Sequence, residues 1–216
     1  MPTMKYQNSK GERLSGVTTI INSNLGWSKQ QLMWWSWQQG KAGKDYKETV
    51  KIDAAAGTLT HALIEVDIKG LPSIDTKEMD KECVAKAETA YLNFLEWKAM
   101  VKFEVVDTEP HLVSEVHQFG GTPDCLAKVN GKLVLFDWKS GGGIYEDMLI
   151  QLSAYKVLWE ENYPSQPLTG FHLLRIDKET ANFVHHYWGD LSRAWDVFLN
   201  LLAIHTAHKI LKKLAK

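Results

Sequence analysis

Gly121-Thr-Pro-Asp-Cys-Leu-Ala-Lys-Val-Asn-Gly-Lys-Leu-Val-Leu-Phe-Asp-Trp-Lys139 is the stretch whose reading decides the fold. Two β-type runs flank Asn130-Gly131, the dipeptide that best favours a two-residue hairpin turn of type I′. With those two residues as the loop, Val129 faces Lys132 and every opposed pair of positions sums to 261. Asp124 then lies opposite Asp137. Directly opposed side chains on one sheet face have Cβ atoms roughly 4.5 to 5.5 Å apart, and like charges so placed destabilise the pair. A divalent cation relieves that repulsion, since Mg²⁺ takes carboxylate oxygens and keeps water in its remaining positions. The two-residue period of a strand puts Lys139 on the face of Asp137 and turns Phe136 and Trp138 to the other. Two carboxylates and an ammonium therefore converge at one strand end.

A strand-end Asp-x-Lys is ordinarily a solvated ion pair, with an Asp such as Asp124 capping a turn. Here the run Leu133-Val-Leu-Phe136 is apolar on both faces and reads as a buried central strand. Three charges at the end of such a strand are costly unless they have a use. Phosphodiester hydrolysis has one for them: carboxylates hold metal ions that neutralise developing charge, and a cation places or activates the water.

Outward from the hairpin, Phe103–Val106, Leu112–Gln118, Thr122–Val129 and Lys132–Lys139 read as short strands. A helix over about 145–162, strands over 168–176 and 181–188, and a last helix from about Leu191 follow. Upstream the pattern is helical: Ser28 as N-cap of a helix to about Gln39, a helix from about Ala54 to Ile68, and one from Asp75 or Thr76 to about Met100. Residues 1–26 read as a polar lead-in with limited structure of its own around Val17-Thr-Thr-Ile-Ile21. The expected architecture is α/β, a three-layer α/β/α core with a central mixed β-sheet and an N-terminal helical region. One domain is expected over 1–216, with a lead-in and Trp-rich helix over 1–53, the core over 54–188 and a C-terminal helix over 189–216.

Composition narrows the function classes. The 216 residues are 44% hydrophobic and 24% charged, with mean hydropathy -0.27 and no run long enough to span a bilayer. No membrane association is expected, and the absence of an apolar leader before Gly16 suggests a cytoplasmic protein. The net charge of -1 speaks against non-specific coating of nucleic acid, which needs many phosphates neutralised, but allows a local basic groove. Two cysteines, Cys83 and Cys125, fall in no C-x-x-C pattern, so they read as buried thiols and no iron–sulfur cluster is expected.

Two helical pairs add to the hairpin. His61 and Glu65 are four residues apart on one helix face, as are Gln151 and Tyr155. Singly, each pair suits an ordinary polar helix surface. Together with the hairpin they resemble the PD-(D/E)XK nucleases, in the branch of the RecB nuclease domain, lambda exonuclease and the mitochondrial genome maintenance exonuclease. That branch shows G-x-x-x-H and a following acid, G-x-x-D, a hairpin, D-x-K, and a helix bearing Q-x-x-x-Y. Gly57, His61, Glu65, Gly121, Asp124, Asp137, Lys139, Gln151 and Tyr155 match it in order over about residues 54–160.

The resemblance implies a restriction-endonuclease-like core and a metal-dependent DNA exonuclease of replication, repair or recombination, phage or bacterial in type. It implies Asp124, Asp137 and the Trp138 carbonyl as ligands for one or two Mg²⁺ or Mn²⁺ ions, with His61 as a further ligand or phosphate contact and Glu65 and Glu115 as neighbouring acids. Lys139 would position water, and Gln151 and Tyr155 would orient the strand or the lysine. The implied partner is DNA, single-stranded or with a free end; a homo-oligomer or a single-strand annealing or binding protein is compatible. A structure-selective endonuclease on the same core is the alternative enzyme, and a catalytically silent nucleic-acid-binding subunit the alternative without chemistry.

Three features stand apart. Trp34, Trp35 and Trp37 could stack unpaired bases or pack into a core, and since they cannot all face one way, at least one is expected to be buried. The C-terminal run from His208 to Lys216 suits a solvated helix end with cations placed at its negative pole. The pairs His205/His208 and His185/His186 have no carboxylate or thiol beside them and read as structural.

Overall fold

The computed structural model describes residues 5–27 and 29–215. The chain runs β1 (Tyr6–Gln7), β2 (Arg13–Gly16), α1 (Val17–Asn24), α2 (Lys29–Lys41), α3 (Tyr46–Lys69), α4 (Lys81–Met100), β3 (Glu104–Thr108), β4 (Leu112–Ser114), β5 (Phe119–Gly121), β6 (Cys125–Val129), β7 (Lys132–Lys139), α5 (Glu146–Asn162), β8 (Phe171–Ile176), β9 (Phe183–Trp188) and α6 (Ser192–Leu214). It is a mixed α/β protein with two mixed sheets.

The main sheet has the order β3-β6-β7-β8-β9, so the apolar strand β7 is central, as its composition predicts. The hairpin register is the predicted one: Val129 faces Lys132 and Cys125 faces Phe136, with φ of 52° at Asn130 and 76° at Gly131 as a type I′ turn requires. β7 then pairs with β8 in parallel, Asp137 against Leu173. Leu126, Leu135, Phe171 and Leu173 pack one sheet face against α1, α5 and α6. Cys125, Ala127, Phe136, Trp138 and Leu174 pack the other against Ile64 of α3 and Phe94 and Trp97 of α4. Phe136, Trp138, Trp97 and Phe94 interlock with ring centroids 5.4–5.7 Å apart, a rigid backing for the end of β7. Both cysteines are free and buried, as their spacing predicts.

The helices depart from expectation at their N-termini. α3 starts at Tyr46 rather than near Ala54, because Asp45 accepts a hydrogen bond from the Lys47 amide and caps it there. α4 starts at Lys81, not near residue 75, capped by Asp80 through the Cys83 amide. The proposed cap Ser28 lies outside the described residues; α2 itself covers Lys29–Lys41.

Two expectations fail. The first residues are no loosely structured lead-in: β1 pairs with β2, β2 pairs in parallel with β5, and β4 completes a second sheet in the order β1-β2-β5-β4. Val17, Ile20 and Ile21 of α1 are at most 3% exposed and belong to the core, so burial overrides the poor helix propensity of a β-branched run. The other failure is the tryptophan helix. Among the described residues, α2 buries none of its own, with Trp34 and Trp37 exposed and Trp35 half-buried. No helix among the described residues is long and apolar enough to cross a membrane.

Candidate metal-dependent active site

The register carries Asp124, one step before β6, to the side of Asp137 on β7. The Trp138 amide donates to Asp124 Oδ2 at 2.8 Å and fixes that carboxylate against the strand. In an extended strand the N–H and C=O of one residue leave on the same side, so the Trp138 carbonyl is also directed toward Asp124. Lys139 Nζ stands 2.6 Å from Asp137 Oδ2, and His61 Nδ1 stands 3.4 Å from Asp124 Oδ1. α3 delivers His61 by crossing close to the end of β7, and Gly57 makes the crossing feasible: a Cβ there would lie 3.0 Å from Ser140 Oγ. Gly121 does the same for α5, since a Cβ on it would sit 2.8 Å from Tyr155 Cε1 and from Leu158 Cδ1.

Asp137 is 1% exposed, and neither of its oxygens receives a well-directed hydrogen bond. The 2.6 Å approach of Lys139 is thus an ion pair without hydrogen-bond alignment; its Coulomb attraction is real, but it leaves both oxygens short of donors. Burial raises the Asp137 carboxyl above its ordinary range; Lys139 works against that rise and Asp124 adds to it. For Asp124, burial is outweighed by His61, Lys139 and the Trp138 amide, and its pKa is lowered. Burial works against the charged forms of His61 and Lys139 too, but the two aspartates prevail and hold both raised. A buried carboxylate with orphaned oxygens, beside a second carboxylate and a strand carbonyl, is a donor set that fits a hard divalent cation.

Of the other expected residues, Gln151 and Tyr155 face the site from α5 and bond each other, Gln151 Nε2 donating to the Tyr155 hydroxyl at 2.7 Å. Burial, then Asp137 and Asp124, push the Tyr155 hydroxyl well above its ordinary range. Glu65 lines a small recess with His61 and Asp124 but is paired to Lys69. Glu115 is not brought in: it lies in the turn after β4, where its carboxylate accepts from the amide and hydroxyl of Ser9. Trp34, Trp35 and Trp37 do not line the cleft over Asp124 and Lys139.

The sequence reading missed three side chains. Glu109 stands in the recess with Glu65 and Asp124, and burial followed by those two acids raises its pKa. It adopts φ of 51° in the β3–β4 loop, its amide donating to the Asp124 carbonyl, and no periodicity marks such a position. Tyr6, bonded to Thr122, and Lys178, paired with Asp53, line the cleft of about 640 Å³ in which Asp124 and Lys139 sit.

No family model matches the chain, and no curated protein matches it. Among solved structures it is similar to a crystal structure from Eubacterium rectale whose protein is named, provisionally, as an exonuclease. The TM-score is 0.50 at 12% identity, over 71% of this chain and 65% of that one, so the chain spans a little under two thirds of that protein's length. At that identity the likeness speaks for the fold alone.

Proposed function

We propose that this chain is a divalent-metal-dependent deoxyribonuclease of the PD-(D/E)XK class, acting as an exonuclease in the branch of the RecB nuclease domain and lambda exonuclease. The observation that carries the proposal is the buried, donor-starved Asp137 set beside Asp124 and Lys139 at the end of the central strand. Asp124, Asp137 and the Trp138 carbonyl would hold Mg²⁺ or Mn²⁺, one or two ions, with His61 on the α3 side. When bound, the ion supplies Lewis-acid stabilisation of phosphorane charge and a more acidic water.

The side chains do the rest. Lys139 holds the attacking water by hydrogen bonding and balances the carboxylates. His61, beside Asp124, serves as a further ligand or as a contact to a non-bridging phosphate oxygen. Gln151 and Tyr155, bonded to each other beside the site, orient the strand or Lys139. Glu109, and Glu65 with its partner Lys69, stand beside Asp124 in the adjoining recess. The setting proposed is DNA replication, repair or recombination in a bacterial or phage-infected cell.

The test is degradation of end-labelled single-stranded and duplex DNA with Mg²⁺, beside an EDTA control, the Lys139→Ala variant and a covalently closed circle. Label release that needs the metal and Lys139, with the circle intact, is expected. Release unchanged in Lys139→Ala would refute the proposal, and a cut circle would reassign the same residues to an endonuclease.

A further inference from the structure

Helix α2 is an unusual surface. Trp34, Trp37 and Lys41 follow one another at i, i+3 and i+7 and so form a stripe along one side. Trp34 is 64% and Trp37 57% exposed, with Met33 and Leu32 exposed beside them. Exposed apolar patches of this kind mark interaction sites. The segment around the stripe is also basic: residues 27–51 carry five lysines against two acids, in a chain of net charge -1. Lys41 Nζ stands 4.5 Å over the Trp37 ring, so cation and indole are presented together.

Helix α2 touches α3, the next helix in the chain. The next turns of α3, at Val50, Ala54, Gly57 and His61, form one wall of the cleft that holds Asp124 and Lys139. The tryptophan-bearing helix thus adjoins a helix that walls that cleft. Bases stack on exposed indoles whatever their sequence, while the lysines meet the phosphates between them. A duplex hides its base faces and offers such a stripe only its backbone.

We propose that the α2 stripe is a stacking platform for an unpaired DNA strand that feeds the cleft, and this rests on the nuclease reading above. The stripe confines the substrate to single strands or to duplexes with a frayed or tailed end. Charge complementarity favours DNA over a second copy of this chain as the occupant.

The test measures binding and turnover separately. Fluorescence anisotropy of labelled oligothymidine and of a blunt duplex is read in EDTA, where no cleavage occurs, for the wild type and for the pairs Trp34→Ala/Trp37→Ala, Trp34→Leu/Trp37→Leu and Trp34→Phe/Trp37→Phe. Because α2 buries none of its residues, these variants should fold, which thermal melting checks. Expected for the Ala and Leu pairs is an oligothymidine Kd at least tenfold weaker, equivalent to about 1.4 kcal/mol, with the Phe pair within a few-fold of wild type and the duplex Kd little changed. With Mg²⁺, the same pairs should raise KM for the single strand and leave kcat.

Unchanged oligothymidine binding in the Ala pair overturns the proposal. So does a wild-type dimer that the Ala pair dissolves without changing DNA affinity, which would make the stripe a contact between copies. Stripe-dependent binding without any cleavage by the wild type would sink the nuclease reading and leave the stacking surface standing.

Discussion

Lys139→Met should destabilise the protein in the absence of metal, before any activity is measured. Asp137 is 1% exposed, its nearest opposite charge is Lys139 at 2.6 Å, and Asp124 adds a second negative charge at the same strand end. Removing one partner of a buried ion pair costs about 3–5 kcal/mol. The Lys139 side chain is 21% exposed, so water reaches the pair, and Asp137 can take up a proton instead of staying charged. The low end, about 3 kcal/mol, is the expected cost. For a chain of this length that lowers Tm by about 6–12 °C.

The sign of the pH effect follows from the raised Asp137. Its charged form is the one that costs, so the loss is small in acid and grows as pH rises through its folded value. Scanning calorimetry in EDTA reads both. The pair Asp137→Asn/Lys139→Met should recover most of the loss, because the buried charge is gone with its partner. Added Mg²⁺ should raise the Tm of Lys139→Met and leave Asp137→Asn nearly unmoved. If Lys139→Met melts with the wild type at neutral pH, the description of Asp137 as a buried charge in need of a cation is wrong.

Two further predictions test the frame. Gly121→Ala places a methyl 2.8 Å from Tyr155 and Leu158 and 3.0 Å from Val17, so urea unfolding should show a loss of about 1–3 kcal/mol from overpacking, with activity falling as α5 is pushed away. His172 is 8% exposed, bonds His185 at 2.8 Å and stacks on Phe136 at 4.5 Å; burial and His185 lower it to about 4. Between 6.5 and 4 the unfolded chain binds a proton that the native state refuses, so stability falls with pH across that window, by about 3 kcal/mol at its lower end. His172→Phe should keep the stack and flatten the dependence of the urea midpoint on pH, and an unchanged slope would show that His172 is not its source.

The hairpin and its charges were legible because local rules specify them. Asn130-Gly131 demands positive φ twice, which fixes the turn, and the turn fixes every pair back to Cys125 and Phe136. Gly57 and Gly121 were visible only as motif letters; the close approaches that require them are between elements far apart in sequence. The N-terminal strands were not legible. Tyr6–Gln7 and Arg13–Gly16 are too short to show a period, and β2 exists because β5 lies beside it. Val17–Asn24 has no side-chain cap at either end and is held as a helix by the burial of Val17, Ile20 and Ile21. Glu109 was overlooked for Glu115 because strand position suggests reach, whereas a left-handed loop residue does the reaching.

The parallel pairing of Ser15 and Gly16 with Phe119 and Gly120 bears on how the chain assembles. A ribosome exposes β2 about a hundred residues before its partner emerges, and closing so long a loop costs entropy that local contacts do not repay. The cleft wall bearing Tyr6 thus cannot close until β5 and Thr122 have been synthesised, and a nascent chain stays without a finished cleft until its second half is made.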